Sequence, residues 1–137
     1  MKIVHSSHPL LRKPAEPVTP EEIDAVIADY RKALGLMFQN KGCGLAAPQL
    51  GISKRWFVWT YGLVINPSIH ERSEVVGVAL EGCLSFPDCP HRPVTRPVRI
   101  KVSYTDENKR VQEKELTGKP ARIFQHEFDH LSGVVIY

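Results

Sequence analysis

The residues best suited to chemistry lie in the stretch RIFQHEFDHLSG, at positions 122–133. His126 and His130 are four residues apart, so on a helix both imidazole rings point to the same side and can hold one metal ion. Glu127, between them, is placed to accept a proton from a water molecule at that metal. The pattern predicts a hydrolytic metal site, with chance occurrence as the alternative.

The position of a third protein ligand distinguishes the classes of metal site that use this pattern. Metzincins carry a further His six residues after the second one, where this chain has Ile136. Thermolysin-like enzymes use a helix well downstream, whereas this sequence ends at Tyr137. We therefore expect the third ligand upstream. Cys83 in LEGCLSFP is the best candidate, because a thiolate binds metals strongly and Gly82 lets the backbone approach closely; a small core cysteine is the alternative.

A third segment, GCGLAAPQLG at positions 42–51, combines small residues that leave room for a ligand with Gln49, a neutral amide donor. Alone it is equally compatible with a tight turn. The segments GCGLAAPQ, EGCLS and QHEFDHLSG, in this order and at these intervals, resemble the three signature motifs of the peptide deformylases. LVINP and HPLLRKPAEPV extend the resemblance, which covers the chain from Pro9 to Gly133.

The resemblance implies a metal-dependent hydrolase that removes the N-formyl group from the N-terminal formylmethionine of nascent polypeptides and releases formate. It implies that Cys83, His126 and His130 hold one divalent metal ion. Fe(II) is the expected physiological ion, and Zn, Ni or Co can replace it in a purified sample. Glu127 would be the catalytic acid and base.

The resemblance also implies which residues face the substrate. The Gln49 side-chain amide and the Leu84 backbone amide would form an oxyanion hole. Gly44 and Glu81 would border the substrate channel. Cys43 stands where the family usually carries Ile or Val, beside the expected pocket for the methionine side chain.

Two other functions are compatible with a metal site of this kind: a small metalloprotease, and a catalytically inactive binding module stabilised by its metal. The upstream cysteine and the lack of a downstream ligand disfavour the protease. Glu127 and Gln49 disfavour the binding module, because a structural metal site needs neither a proton shuttle nor an oxyanion donor.

Two helices must position these residues. The segment at 18–42, VTPEEIDAVIADYRKALGLMFQNKG, has Thr19 as an N-cap, apolar residues at three- and four-residue steps, and Gly42 as a stop. It predicts an amphipathic helix. The metal-binding helix is predicted from about Pro120 to Leu131, enclosed by a sheet because apolar and functional residues occupy neighbouring faces.

Five short segments rich in β-branched and aromatic residues predict antiparallel strands: KRWFVWT, LVIN, EVVGVAL, VRIKVSY and RVQEKEL. TDENK predicts a hairpin connection, and the prolines of FPDCPHRPVTRP predict an extended loop. Trp56 and Trp59 are expected on one face of a strand, in the core. The predicted fold class is α+β, in which antiparallel β-sheets surround a central metal-binding helix and the N-terminal helix packs outside.

Composition sets the remaining expectations. A chain of 137 residues with 42% hydrophobic and 24% charged residues is typical of one globular domain, here a catalytic domain over residues 1–137. Three cysteines without an export signal favour thiols or metal ligation over disulfides, and Cys89 is expected to be a bystander thiol. No apolar run reaches the ~20 residues of a membrane span. A net charge of +3 does not by itself indicate a nucleic-acid site.

The remaining expectations follow from the resemblance. Typical bacterial members continue into a long C-terminal helix that is absent here, so the chain resembles a shortened, phage-like or organellar-type form. Ribosome association is then expected to be weak, and the location to be the cytoplasm of a bacterium, or of a host cell if the protein is phage-encoded. Residues 134–137, VVIY, are expected to pack against the body of the protein. Arg96 is a candidate partner for Asp129.

Overall fold

The N-terminal helical segment begins where the sequence predicts it. In the computed structural model, which describes residues 1–137, Pro20–Glu22 form a 3₁₀ turn that continues into helix α1, Ile23–Gln39. The Thr19 N–H donates at 3.0 Å to the glutamate that ends this turn, as a capping box requires. The helix stop differs from the prediction, because the residue with the left-handed conformation is Lys41, with φ 57°, and not Gly42.

Seven strands form two antiparallel sheets. They are β1 (Gly44–Ala46), β2 (Trp56–Trp59), β3 (Gly62–Arg72), β4 (Val76–Glu81), β5 (Arg92–Pro97), β6 (Arg99–Thr105) and β7 (Val111–Thr117). One sheet has five strands in the order β1-β2-β3-β6-β7, and β4 pairs with β5 alone. The TDENK segment connects β6 to β7 as predicted; there the Asp106 carboxylate accepts the N–H groups of Asn108 and Arg110 at 2.8 and 3.0 Å.

Two strands were not predicted from the sequence. Strand β1 lies inside the GCGLAAPQLG motif and is too short to show a period-two pattern. Strand β5 lies inside FPDCPHRPVTRP, so the prediction of an extended loop over that whole segment is wrong. Pro93 and Pro97 lie opposite Leu80 and Val76 of β4, which is the only partner strand of β5. Because proline has no N–H to donate, it is tolerated in a strand that has such a free edge.

The second helix, α2 (Gly118–Leu131), begins two residues earlier than predicted. The side chains of a strand alternate between its two faces, so the five-stranded sheet presents apolar residues on both faces. Helix α1 packs on one face and α2 on the other. Trp56 packs in the cluster that includes α1, and Trp59 packs in the cluster that includes α2. Both are buried as predicted, but they do not share a face, since residues three apart on a strand point to opposite sides. Neither helix combines the length and apolar character that crossing a bilayer requires.

The last residues of the chain pack against the body of the protein, as predicted, and contact the loop between β4 and β5 and the start of β5. The Arg92 guanidinium donates to the Ile136 carbonyl at 2.8 Å. The Tyr137 hydroxyl donates to the Pro90 carbonyl at 2.7 Å, and its ring packs against Phe86 with the centroids 4.9 Å apart. These contacts hold one wall of a cleft described below.

Deleting residues 134–137 is expected to lower the free energy of unfolding by about 2 kcal/mol, because three hydrogen bonds, among them the one from the Val134 N–H to the Asp129 carbonyl, and one aromatic contact disappear. Urea unfolding followed by tryptophan fluorescence measures the change. Val134→Ser is a suitable control, since the Val134 side chain is half exposed. Equal stability of the deleted and full-length chains would show that these contacts contribute nothing.

Candidate metal centre

Three donor side chains from two distant parts of the chain converge beside the sheet. The ligand atoms of Cys83, His126 and His130 all lie within 4.8 Å of one another. The two histidines occupy one face of α2, and Cys83 lies in the turn after β4, with its Sγ 3.4 Å from His130 Nε2. The structure therefore brings together the three residues that the sequence indicated as ligands.

The donor set fits one divalent ion. One thiol and two imidazoles suit Zn or Fe(II), and three protein ligands leave a coordination position open. The Nδ1 atom of His126 is bonded to the Glu81 carboxylate at 2.9 Å, which leaves its Nε2 atom free for a metal. Two buried atoms at the site, Glu127 Oε1 and His130 Nδ1, have no hydrogen-bond partner. Unpaired polar atoms of this kind are costly unless a ligand or water completes the site.

The protonation of the two histidines differs in the metal-free protein. Burial, reinforced by the charge of His126, lowers the pKa of His130 to about 3. At His126, burial also opposes the charged form, but the carboxylate of Glu127 and the Cys83 sulfur outweigh it and raise the pKa to about 10. A ligating imidazole nitrogen must be unprotonated, so a bound metal takes the place of this proton and its affinity rises with pH.

Glu127 is enclosed beside the cluster. Its side chain is only 4% exposed, and burial raises its pKa to about 7. The carboxylate lies against the backbone of β1, where a Cβ at Gly44 would stand 2.5 Å from Glu127 Oε2. The absence of a side chain at Gly44 therefore makes room for the acidic group.

Glu81 is the centre of a buried polar network. Its Oε1 accepts hydrogen bonds from His126 Nδ1 and Arg96 Nη2, both at 2.9 Å. Its Oε2 accepts from Arg96 Nε at 2.7 Å and from Arg122 Nη1 at 2.6 Å. Arg96 also binds Asp129 at 2.8 Å, the partner expected from the sequence. Burial favours the protonated form, but the bonds from His126 and the arginines prevail and hold the pKa of Glu81 well below its usual range.

Sequence reasoning placed Glu81 at the substrate channel and missed its hydrogen bond to His126, a candidate metal ligand. It also missed Arg122, whose guanidinium is bonded to Glu81 and to the carbonyls of Gly77 and Val94. These partners are between 28 and 45 residues away along the chain, so no local pattern could have identified them.

Glu81→Gln is expected to lower the free energy of unfolding by about 3 kcal/mol near neutral pH, because the buried Arg96 and the partly buried Arg122 lose a charged partner. The pKa of Glu81 is depressed in the folded state, so its contribution is fully present above the ordinary value of 4.5 and is lost as the pH falls. Urea unfolding at about pH 7 and about pH 3.5 should therefore show a large difference between the two proteins at the higher pH and a smaller one at the lower pH.

The control for this variant is Glu71→Gln, which removes an exposed pairing with Lys101 and should change stability by less than about 1 kcal/mol. If the difference in the free energy of unfolding between Glu81→Gln and the unmodified protein did not change with pH, ionisation of Glu81 would not be what stabilises the fold.

Two hydrogen-bond donors flank the cluster. Gln49 lies in a 3₁₀ turn after β1 and is 1% exposed. Its Oε1 accepts the Ala46 N–H at 3.0 Å, which directs its Nε2 toward Cys83 Sγ, at 3.5 Å, and Ser85 Oγ, at 3.3 Å. The neighbouring Leu84 N–H makes no hydrogen bond to the protein. Both donors indicated by the sequence are therefore beside the predicted ligands, and the buried Ser85 is an addition that the sequence did not suggest.

The cluster opens into a cleft of ≈ 870 Å³, large enough for a short peptide. The predicted residues that line this cleft are Cys43, Gly44, Gln49, Glu81, Cys83, Leu84, His126 and Glu127. The loop after β4 also contributes Phe86, Cys89 and His91 to the lining of the cleft. Cys89 lies outside the ligand cluster. The His91 ring lies over Gly82, where any Cβ would overlap it.

Comparison with known proteins agrees with this geometry. The polypeptide deformylase family model matches residues 1–137. A peptide deformylase from Thermotoga neapolitana is 47% identical over 132 residues, which span 93% of this chain and 79% of that protein. The crystal structure of peptide deformylase from Thermotoga maritima matches with a TM-score of 0.88 and 45% identity, covering 98% of this chain and 93% of that one.

A third match is the Met-Ala-Ser-bound crystal structure of a class I type b peptide deformylase from Acinetobacter baumannii. Its TM-score is 0.89 at 31% identity, and the match covers 98% of this chain and 94% of that one. The family model spans the segments that carry the Cys and His cluster and the buried glutamate and glutamine. The chain therefore belongs to the polypeptide deformylase family of hydrolases.

Proposed function

We propose that this chain is a metal-dependent enzyme that removes the N-formyl group from the N-terminal formylmethionine of nascent polypeptides and releases formate. The observation that carries the proposal is the convergence of Cys83, His126 and His130 with the buried Glu127 at a peptide-sized cleft. Residues 1–137 would act as one catalytic domain, since both core clusters share the strands of one sheet. The binding of Met-Ala-Ser by the Acinetobacter relative supports a peptide substrate.

Cys83, His126 and His130 would hold one divalent ion, with Fe(II) as the physiological occupant and Zn, Ni or Co as substitutes. When bound, such an ion acts as a Lewis acid and lowers the pKa of water to about 7. Glu81 keeps the Nδ1 proton of His126 in place, which orients the ring and presents its Nε2 atom to the metal position.

Glu127 would move the proton. It accepts a proton from the water whose oxygen bonds to the formyl carbon, and it gives that proton to the amine nitrogen as the C–N bond breaks. A general acid and base works best when its pKa lies near the operating pH, and burial raises the pKa of Glu127 to about 7. The products are formate and a free N-terminus.

Gln49 and Leu84 would stabilise the formyl oxygen as it gains negative charge. The Gln49 carboxamide is already oriented by the Ala46 N–H, so its NH₂ group needs no rearrangement. The Leu84 N–H has no competing partner in the protein. One such donor contributes ~3 kcal/mol to lowering the barrier.

The residues proposed to contact the substrate line the same cleft. Cys43 would border the methionine side chain, and Gly44 would let the peptide backbone pass close to β1. Glu81 would contact the substrate through its backbone, because its carboxylate is engaged by His126 and two arginines. Since formylated chains emerge from ribosomes, we propose a cytoplasmic location, in a bacterium or in a host cell if the protein is phage-encoded, with weak ribosome association.

Gly44→Ala is expected to lower kcat at least about 100-fold while the metal stays bound, because the new methyl group displaces the Glu127 carboxylate from its position. Steady-state formate release and metal content after dialysis measure the two effects. Gly35→Ala is the matched control: nothing lies within 4 Å of a Cβ at this helical position, so activity should be unchanged. Full activity of Gly44→Ala would show that the carboxylate tolerates the shift.

Formate release from formyl-Met-Ala by protein reconstituted with each metal in turn tests the function as a whole. We expect formate and Met-Ala as the products. Release of formylmethionine and alanine in place of formate would identify a metalloprotease, and binding of the peptide without turnover by the fully metallated protein would identify a binding module.

A further inference from the structure

The cleft follows one face of helix α2. Of the helix residues that line it, Lys119 lies in the first turn, Arg122 and Ile123 in the second, and His126 and Glu127 at the metal cluster. These positions recur every three or four residues, the spacing of a single helix face. With a rise of about 1.5 Å per residue, Lys119 lies roughly 10 Å along the helix axis from His126.

The charged side chains that line the cleft differ in their availability. The acidic ones, Glu81 and Glu127, are 7% and 4% exposed. Arg122 is engaged by Glu81. Lys41 and Lys119 are exposed.

Both of these lysines are without a counter-charge. The lysines that form ion pairs are Lys54, Lys101 and Lys109, whereas Lys41 and Lys119 form none. The first turn of α2 contains no acidic residue that could neutralise Lys119. A ligand in the outer part of the cleft therefore meets two unpaired ammonium groups and no accessible carboxylate.

The backbone at Lys41, one of these two lysines, is held in place by hydrogen bonds. The Lys41 N–H donates to the Phe38 carbonyl at 3.0 Å, and the Gly42 N–H donates to the Met37 carbonyl at 2.9 Å. Lys41 thus projects from an ordered turn that leads directly into β1. The charged side chain therefore starts from a fixed backbone position beside the cleft.

We propose that this cleft selects formylmethionyl peptides with an acidic side chain at the third residue, through Lys41 and Lys119. The inference rests on the proposed function. An extended peptide advances about 3.3 Å per residue, so a chain whose formyl group is at the metal cluster and which runs along α2 brings its third residue to the distance of Lys119. Carboxylates there gain attraction from both lysines, and cationic side chains are repelled.

The test compares three peptides, formyl-Met-Ala-Glu, formyl-Met-Ala-Gln and formyl-Met-Ala-Lys, each with an amidated C-terminus so that only the third side chain changes the charge. We expect kcat/KM to fall in the order Glu, Gln, Lys, by about twofold to fivefold at each step, as is typical of exposed charge pairs. The difference should lie mainly in KM. It should shrink when the ionic strength is raised from about 0.01 M to about 1 M, because the Debye length falls from about 30 Å to about 3 Å.

Lys41→Gln and Lys119→Gln should each reduce the ratio of kcat/KM between the Glu and Gln peptides, and the double variant should bring it close to one. Lys114→Gln removes the same charge from an exposed position on β7, outside the cleft, and should leave the ratio unchanged. An undiminished ratio in the double variant overturns the inference, as do equal kcat/KM values for the Glu and Lys peptides. Absence of formate from all three peptides overturns the proposed function and this inference with it.

Discussion

We expect Glu127→Gln to keep the bound metal and to lose formate release by a factor of about 100 to 10,000, the usual contribution of a general acid and base. Glutamine has nearly the shape of glutamate, so it fills the same buried space beside Gly44. It cannot accept a proton from water or return one to the departing amine. The proposed metal ligands Cys83, His126 and His130 are untouched by the change. Metal content after dialysis and kcat on a formylated dipeptide are the two measurements.

Stability separates the loss of a proton shuttle from simple unfolding. Because the pKa of Glu127 is raised by burial to about 7, the ionised carboxylate destabilises the metal-free fold as the pH rises above its ordinary value. The metal-free Glu127→Gln protein should thus be at least as stable as the unmodified one near pH 8. Glu21→Gln, at an exposed position in the turn before α1, is the control for the chemical change itself. Turnover at the unmodified rate by metallated Glu127→Gln would rule out the assigned role.

The second large effect is expected at the cysteine ligand. Cys83→Ser should lose its metal on dialysis and its activity with it, because a serine hydroxyl at neutral pH is a far poorer ligand than a thiolate. The loss of affinity should exceed the roughly 10-fold to 100-fold effect of removing a partner of a ligand. The donor atom at position 83 is also close to a second proposed ligand, since Cys83 Sγ lies 3.4 Å from His130 Nε2.

Cys89→Ser is the matched control, because Cys89 lines the same cleft but lies outside the ligand cluster. It should retain both metal and activity. The measurement is the ratio of metal to protein after exhaustive dialysis of both variants under reducing conditions. It shows which cysteine the metal requires. Equal loss from the two variants would mean that Cys83 is not a selective ligand.

Local signals in the sequence predicted a large part of the fold. The capping residues around Thr19 and the spacing of apolar residues located α1, and the same periodicity located α2 to within two residues at its start. These predictions succeed because a helix is stabilised by contacts between residues three and four apart. Strand β5 was missed because whether a proline is tolerated depends on the number of neighbouring strands, a property of the sheet and not of the segment.

The candidate ligands and the candidate proton-transfer group could be identified from the sequence alone. His126, Glu127 and His130 are placed together by one turn of helix, and the motif around Cys83 indicated the third donor through its resemblance to a family. Within a helix, side-chain geometry follows directly from spacing, so no knowledge of the rest of the chain is needed.

Only the tertiary structure decided how these groups are held and what surrounds them. The bonds that join Glu81 to Arg96, Arg122 and His126 connect residues 15 to 45 positions apart. The alignment of Lys119 with the cleft depends on how α2 packs against the sheets. Such contacts are set by the packing of whole elements, since a sheet register and a helix orientation place distant residues together only after the core has formed.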